Sequence, residues 1–190
     1  MSPDGSGTAR LFIALWPDAG TRAAIAAWSE QWQWHAAAKR VRVERLHLTL
    51  HFLGDVARAR LPALRQALDL PFAPFSIALA RSALWPGGIA VLEPEQMPPR
   101  LRQLHAALGE ALQRIALPVE GREFRPHVTL ARRAGSAVPP ELRSKLRWQV
   151  RAFALVESRR QPAGGYAVLE SFSDAGRAVP AREREFNERR

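Results

Sequence analysis

No cysteine occurs in the 190 residues, which excludes a disulfide framework, thiolate catalysis and Cys-ligated zinc or iron–sulfur centres. Lysine is almost as scarce: 26 of the 28 basic residues are Arg and 2 are Lys. Long apolar runs are missing too. The longest early one, Leu11 to Trp16, is stopped by Pro17, far short of the roughly 18 residues a membrane span needs. The first ten residues, MSPDGSGTAR, have neither the basic start nor the apolar middle of a secretory signal. A soluble, cytoplasmic protein without membrane contact is the expectation.

What is present is enough apolar surface for a substantial core: 47% hydrophobic residues, with 6 Trp, 8 Phe and 1 Tyr. The length suits one compact domain, or one domain built from two similar lobes. The formal net charge is +10, which makes polyanions such as nucleic acid or phosphorylated ligands natural partners. An Arg-rich proteome gives the same bias, so charge alone does not decide.

Residues 1–9 are small and polar and residues 174–190 are dominated by Arg and Glu; both ends read as flexible tails around a working domain of 10–172. Leu11 to Trp16 reads as a buried strand. Asp18 then caps a helix carrying Ile25, Trp28 and Trp32, a stripe that reads as core. Val41 to Phe52 alternates, with Leu46, Leu48 and Leu50 on one face, and reads as a strand broken by Gly54-Asp55. A helix is expected around Leu61, Leu64 and Leu68, then strands Phe75 to Leu84 and Ile89 to Leu92 joined across Pro86-Gly87-Gly88. Leu101, Leu104, Leu108, Leu112 and Ile115 predict the longest amphipathic helix. Strand character returns from Phe124 to Ala131, Pro139-Pro140 opens an irregular stretch, and Trp148 to Val156 and Tyr166 to Phe172 read as closing strands joined around Gly164-Gly165. Strands and helices mix without a βαβ rhythm, so the expected class is α+β with largely antiparallel sheets.

One internal similarity stands out. Arg45-Leu46-His47-Leu48-Thr49-Leu50 and Arg125-Pro126-His127-Val128-Thr129-Leu130 share the pattern Arg-x-His-apolar-Thr-Leu, 80 positions apart. A repeat in opposite halves of so short a chain suggests a duplicated lobe. On a strand, His and Thr at i and i+2 face one way while the aliphatic residues between them anchor in a core. A lone His-x-Thr is commonplace on strand surfaces, but the repeated hexad is not. Two such strands side by side line a groove with two imidazoles and two hydroxyls.

That set suits hydrolysis of a cyclic phosphodiester. A neutral imidazole deprotonates water, an imidazolium protonates the departing alkoxide, and Thr hydroxyls stabilise charge on the non-bridging oxygens. No metal and no other cofactor is called for.

These residues resemble the two-histidine phosphoesterase superfamily, and within it the RNA 2′,3′-cyclic phosphodiesterases first named 2′-5′ RNA ligases. The likeness covers most of 10–172 and rests on Arg10-Leu11-Phe12-Ile13-Ala14-Leu15, Leu46-His47-Leu48-Thr49-Leu50-His51-Phe52-Leu53-Gly54, Pro126-His127-Val128-Thr129-Leu130-Ala131-Arg132 and Tyr166-x-x-Leu169-x-x-Phe172. The resemblance implies a bilobal fold of two mostly antiparallel sheets flanked by helices, with pseudo-two-fold symmetry and a V-shaped cleft. It implies that His47 is the general acid toward the leaving 3′ oxygen and His127 the general base on water. It also implies that Thr49, Thr129 and Arg132 hold the phosphate, while Phe12 and Phe52 lie near the terminal base. Arg45 departs from the family, whose members often carry a small polar residue there.

By alternation alone, Arg132 at i+5 from His127 points away from the groove unless a bulge or strand end turns it in. Phe52 likewise alternates away from His47. His51 shares the face of His47 and Thr49 and reads as a groove-edge or surface residue. His105, beside the leucine stripe, and His35 read as structural. The expected substrate is RNA, or a nucleotide, bearing a 2′,3′-cyclic phosphate, turned over by a monomer, with reverse 2′-5′ ligation chemically allowed. The alternatives are a same-family enzyme acting on a small nucleotide such as an ADP-ribose cyclic phosphate, and a non-catalytic module that binds RNA ends.

Overall fold

The computed structural model describes residues 7–141, 143–159, 165–174 and 176–177. The loop expected around Gly164-Gly165, apart from Gly165 itself, and most of both predicted tails lie outside these residues.

Strand β1 (Thr8–Leu15) buries every residue from Leu11 to Leu15, because it runs through the middle of the sheet with apolar matter on both faces. Helix α1 (Ala19–Ser29) starts where Asp18 Oδ1 accepts from Thr21 N at 2.8 Å, a side-chain cap that satisfies an orphan amide of the first turn. Ile25 is fully buried and Trp28 packs against the core. The helix ends before Trp32, which is nevertheless buried and stacks on Trp34.

The strand expected over 41–52 is displaced. A two-residue strand β2 (Lys39–Arg40) is followed by a 3-10 turn at Val43–Arg45, and β3 runs Leu48–Ala57. Arg45 N bonds Arg42 O and Leu46 N bonds Val43 O, at 2.9 and 3.2 Å. Amides spent within the turn cannot pair with a neighbouring strand. Gly54 does not end β3; it takes φ 69° inside it.

Helix α2 (Leu61–Ala67) and the hairpin of β4 (Phe75–Trp85) and β5 (Ile89–Pro94) follow as expected. In the hairpin turn Gly88 has φ 71°, and a Cβ there would stand 2.9 Å from Gly135 N. Backbone meets backbone at that point, so no other residue fits. Helix α3 (Pro99–Arg114) buries Leu101, Leu104, Leu108 and Leu112, the i, i+3, i+7, i+11 stripe read from the sequence.

The expected strand from Phe124 shortens to β6 (Val128–Arg132). The single strand expected over 148–156 is two: β7 (Leu146–Val150) and β8 (Ala152–Arg159), separated at Arg151. β7 lies against β4, whereas β8 lies against β1 and β9 (Gly165–Ser173). The burial phase slips there: Trp148 and Val150 are buried, then Phe153. A two-residue strand, β10 (Gly176–Arg177), pairs with β9. Thr8 and Ala9 at one end and Gly176–Arg177 at the other therefore belong to the sheet rather than to tails.

Every strand pair is antiparallel, and the order is β10-β9-β8-β1-β3-β6-β5-β4-β7, with β2 beside β6. The two expected sheets are thus one continuous sheet, but its centre is narrow: β3 meets β6 through the pair Leu48 and Val128. Around that seam the order β9-β8-β1-β3 mirrors β7-β4-β5-β6. Each half contains a strand, a helix and a second strand bearing a motif: β1-α1-β3 and β5-α3-β6. The lobes also brace one another, since Trp28 of α1 donates to Ser82 of β4 and His105 of α3 stacks on His51 of β3. Among the described residues no helix is long and apolar enough to cross a membrane.

Candidate active site

The seam decides the geometry. With Leu48 opposite Val128 in antiparallel register, counting one residue outward sets His47 across from Thr129 and Thr49 across from His127. Leu48 and Val128 are fully buried, so alternation turns the two His/Thr pairs to the other face, where they form one cluster.

Both histidines stand one residue before their strands and are fixed in the same way. His47 Nδ1 lies 2.7 Å from Arg45 O, and His127 Nδ1 lies 2.7 Å from Arg125 O. A carbonyl oxygen only accepts, so each Nδ1 carries the proton and each Nε2 remains to exchange one. An Nε2 held this way takes a proton when the ring is neutral and gives one when it is charged.

A repeated bulge arranges the rest. Along β3 and β1, Ala14 pairs with Thr49 and Ile13 with His51, so Leu50 is skipped. Along β6 and β5, Val91 pairs with Thr129 and Ala90 with Ala131, so Leu130 is skipped. Each extra residue reverses the alternation after it. His51 therefore turns inward rather than to the groove edge as alternation predicts: it is 4% exposed, and its Nε2 donates to His105 O at 2.8 Å. Phe52, two bulge-shifted steps on, pairs with Phe12 and so shares its face. It is exposed, with the Arg10 guanidinium 4.8 Å above its ring. Arg132 is the β6 counterpart of Phe52, and its charge reaches both His47 and His127.

Aromatic side chains wall both histidines. Phe12, Trp16 and Tyr166 surround His47 at centroid distances of 5.0, 5.3 and 5.3 Å, with Trp16 nearly parallel to the imidazole. Trp85 covers His127 at 4.3 Å. Outside each wall lies the motif arginine, Arg45 over Tyr166 at 5.8 Å and Arg125 over Trp85 at 4.3 Å. Buried Glu93 accepts from Trp85 Nε1 at 3.1 Å and from Arg125 at 3.3 Å, and pairs with Arg81 at 3.5 Å. Trp16, Trp85 and Glu93 carry no motif, so sequence reading passes over them. The one available signal was a hairpin that brings Trp85 and Glu93 together.

Burial lowers the pKa of both histidines below the ordinary 6.5, opposed by the carbonyl bonds. On His47 the charges of His127 and Arg132 push the same way as burial. On His127 the Glu93 carboxylate pushes upward, against Arg125 and Arg132. The remaining histidines lie elsewhere. His105 stacks between His51 and Phe124, at 4.1 and 3.9 Å, and His35 Nδ1 accepts from Ala37 N.

A duplicated lobe with a His-x-Thr motif at each side of a central seam defines a bilobal two-histidine protein. The chain belongs to the 2′-5′ RNA ligase superfamily, whose family model matches residues 21–162. It is 36% identical over 181 residues to an RNA 2′,3′-cyclic phosphodiesterase of Thermus thermophilus, covering 88% of this chain and 91% of the relative. An Escherichia coli protein of the same name is 34% identical over 135 residues, 69% of this chain and 77% of the relative. Among solved structures, apo E. coli LigT superposes with a TM-score of 0.79 at 28% identity, covering 88% of this chain and 98% of LigT. LigT complexed with 3′-AMP gives 0.77 at 27% identity, covering 87% and 98%.

Proposed function

We propose that the protein hydrolyses 2′,3′-cyclic phosphodiester ends of RNA to 2′-phosphomonoesters. The observation that carries this reading is the pair of imidazoles each pinned through Nδ1 to a backbone carbonyl, next to the Leu48–Val128 seam at which the two motif strands meet. Relatives bearing the cyclic phosphodiesterase name, and LigT bound to 3′-AMP, support the substrate class.

Neutral His127 takes a proton from water at Nε2 as the water oxygen attacks phosphorus. Protonated His47 gives its Nε2 proton to the 3′ oxygen as the P–O3′ bond breaks. The assignment of roles suits the electrostatics. A base is helped by a carboxylate that stabilises the imidazolium it becomes, and an acid by surroundings that favour its neutral form. Thr49 and Thr129 hydroxyls and the Arg132 guanidinium hold the non-bridging oxygens, where charge builds in the transition state. Phe12 and Phe52, on one face, stand beside the terminal nucleotide. One copy carries both motifs, so a monomer suffices. The same acid and base run backwards join a cyclic end to a 5′ hydroxyl, but in water at ~55 M hydrolysis prevails unless the ends are held together.

The test is incubation with an RNA ending in a 2′,3′-cyclic phosphate, with and without EDTA, beside a cyclic mononucleotide, followed by product identification. Equal turnover with chelator and a 2′-phosphate product are expected. Turnover of the mononucleotide alone would move the substrate to small nucleotides. Binding without turnover of either would leave an RNA-end-binding module.

A further inference from the structure

The two halves of the cleft repeat each other closely, but one departure has no counterpart. His47 stands in a box of aromatic rings, and no carboxylate of the described residues is among the groups that shift it. His127 has a single aromatic cover, Trp85, and behind that cover a buried carboxylate, Glu93.

Glu93 reaches His127 by two arms. Through Oε1 it accepts from Trp85 Nε1 at 3.1 Å, and the indole so held lies 4.3 Å from the imidazole. Through the same oxygen it accepts from the Arg125 guanidinium at 3.3 Å, and Arg125 supplies the carbonyl that His127 Nδ1–H bonds at 2.7 Å. Arg125 also lies 4.3 Å over the Trp85 ring, closing the assembly on itself. The second carboxylate oxygen is 3.5 Å from Arg81. A carboxylate at 8% exposure, with three donors converging on it, is held in one place. Its field at a neighbouring imidazole is poorly screened.

We infer that Glu93 is a positioning residue for His127, fixing the ring through Trp85 and Arg125 and favouring the imidazolium that forms when His127 takes a proton. The inference rests on the reading of His127 as the base. The arrangement parallels the carboxylate of a hydrolytic triad, but acts through an indole and an arginine instead of bonding the imidazole directly. The other charged groups facing His127 are Arg125 and Arg132, which oppose its protonation, and His47 across the seam, which does so when it is charged. Glu93 is the carboxylate that acts on His127 and not on His47.

The experiment follows each imidazole by NMR titration in the full chain, with turnover measured alongside. In the wild type both imidazoles are expected to titrate below 6.5, held there by burial. In Glu93→Gln, which keeps an acceptor for Trp85 and Arg125 but removes the charge, His127 should titrate lower by about half a unit to one unit. The acid limb of kcat/KM should move down with it, and kcat should fall about two- to fivefold with KM little changed. Glu93→Asp, which restores the charge, should return the titration toward the wild type. A merely structural Glu93 would weaken stability in Glu93→Gln without moving the His127 titration, and that result overturns the inference. If Glu93→Gln fails to fold, Trp85→Phe decides, since it cuts the indole arm between Glu93 and His127; an unmoved acid limb with unchanged kcat overturns the inference equally. Full activity in His127→Ala would instead sink the underlying reading of His127.

Discussion

Leu50 and Leu130 are the same irregularity built twice: each is the residue skipped immediately after the Thr of its motif when the strand pairs with its neighbour. Both are core residues, at 4% and 1% exposure. Because the bulge sits between the Thr and the position three residues beyond it, each strand holds His and Thr on the groove face and returns one more side chain to it. In one lobe that side chain is Phe52, an aromatic ring; in the other it is Arg132, a cation. The duplicated scaffold thereby presents an aromatic surface beside one His/Thr pair and a charge beside the other.

Replacing either histidine by Ala should reduce hydrolysis by roughly 10²–10⁴-fold, the usual contribution of one positioned acid or base. The fold should survive, since the hydrogen bond of each histidine is local, to the carbonyl two residues earlier in the chain, and their aromatic neighbours stay in place. Steady-state kinetics with circular dichroism checks both parts. Near wild-type turnover in either mutant would remove it from the mechanism.

The motif pair was legible because it is local: hexads matching residue for residue need no structure to be seen. So were the elements with strong periodicity, such as the leucine stripe of α3 and the Asp18 cap. What escaped depends on partners. A bulge exists only relative to a neighbouring strand, so the inward turn of His51 could not be read from alternation within β3. The break at Arg151 was hidden because the largely apolar run of β8 follows the alternating β7 almost directly, and only the β4 and β1 edges they join separate them. The Trp85 and Glu93 support of His127 joins β4, β5 and the approach to β6, and no spacing rule links those three segments.

Acid should destabilise the protein through its interior histidines. Burial, reinforced by the neighbouring His51, lowers His105 from 6.5 to about 4. The folded state therefore rejects a proton that the unfolded chain accepts. The resulting stability is present above pH 6.5 and is lost as the pH falls toward 4. His105→Phe keeps a flat ring between His51 and Phe124 and removes the titration. Melting temperatures from pH 7 to 4 should fall less steeply in this variant than in the wild type. They should not become flat, since His51, His47 and His127 are also held below their ordinary value. Identical slopes would show that the stack carries no proton linkage.

Binding of a short RNA should weaken with salt. Lys39 is the register partner of Arg132, so two cations stand side by side on neighbouring strands at the edge of the cleft, and the chain as a whole is strongly basic. Log K should fall by about 0.7 per contacted single-strand phosphate for each decade of salt. Arg132→Gln should lower affinity and reduce the slope by about that amount. Fluorescence anisotropy over a salt series measures both, and salt-insensitive binding would favour a small-nucleotide ligand.

The product and the pH profile test the division of labour between the histidines. With His47 beside the 3′ oxygen and His127 beside the water, hydrolysis should free the 3′ hydroxyl and leave a 2′-phosphate, which digestion and chromatography of the labelled end distinguish from a 3′-phosphate. One ring must be charged while the other is neutral, so kcat/KM should be bell-shaped. It is lost on the acid side as the base is protonated and on the alkaline side as the acid loses its proton, and the limbs belong to the coupled pair. Desolvation holds both rings below 6.5 in the free protein, which places the optimum of kcat/KM on the acid side of that value. Bound phosphate is an anion beside both imidazoles and raises both, so kcat should peak at higher pH than kcat/KM. A 3′-phosphate product would exchange the roles of His47 and His127. A rate that climbs to pH 9 without an alkaline limb would exclude a histidine as the acid.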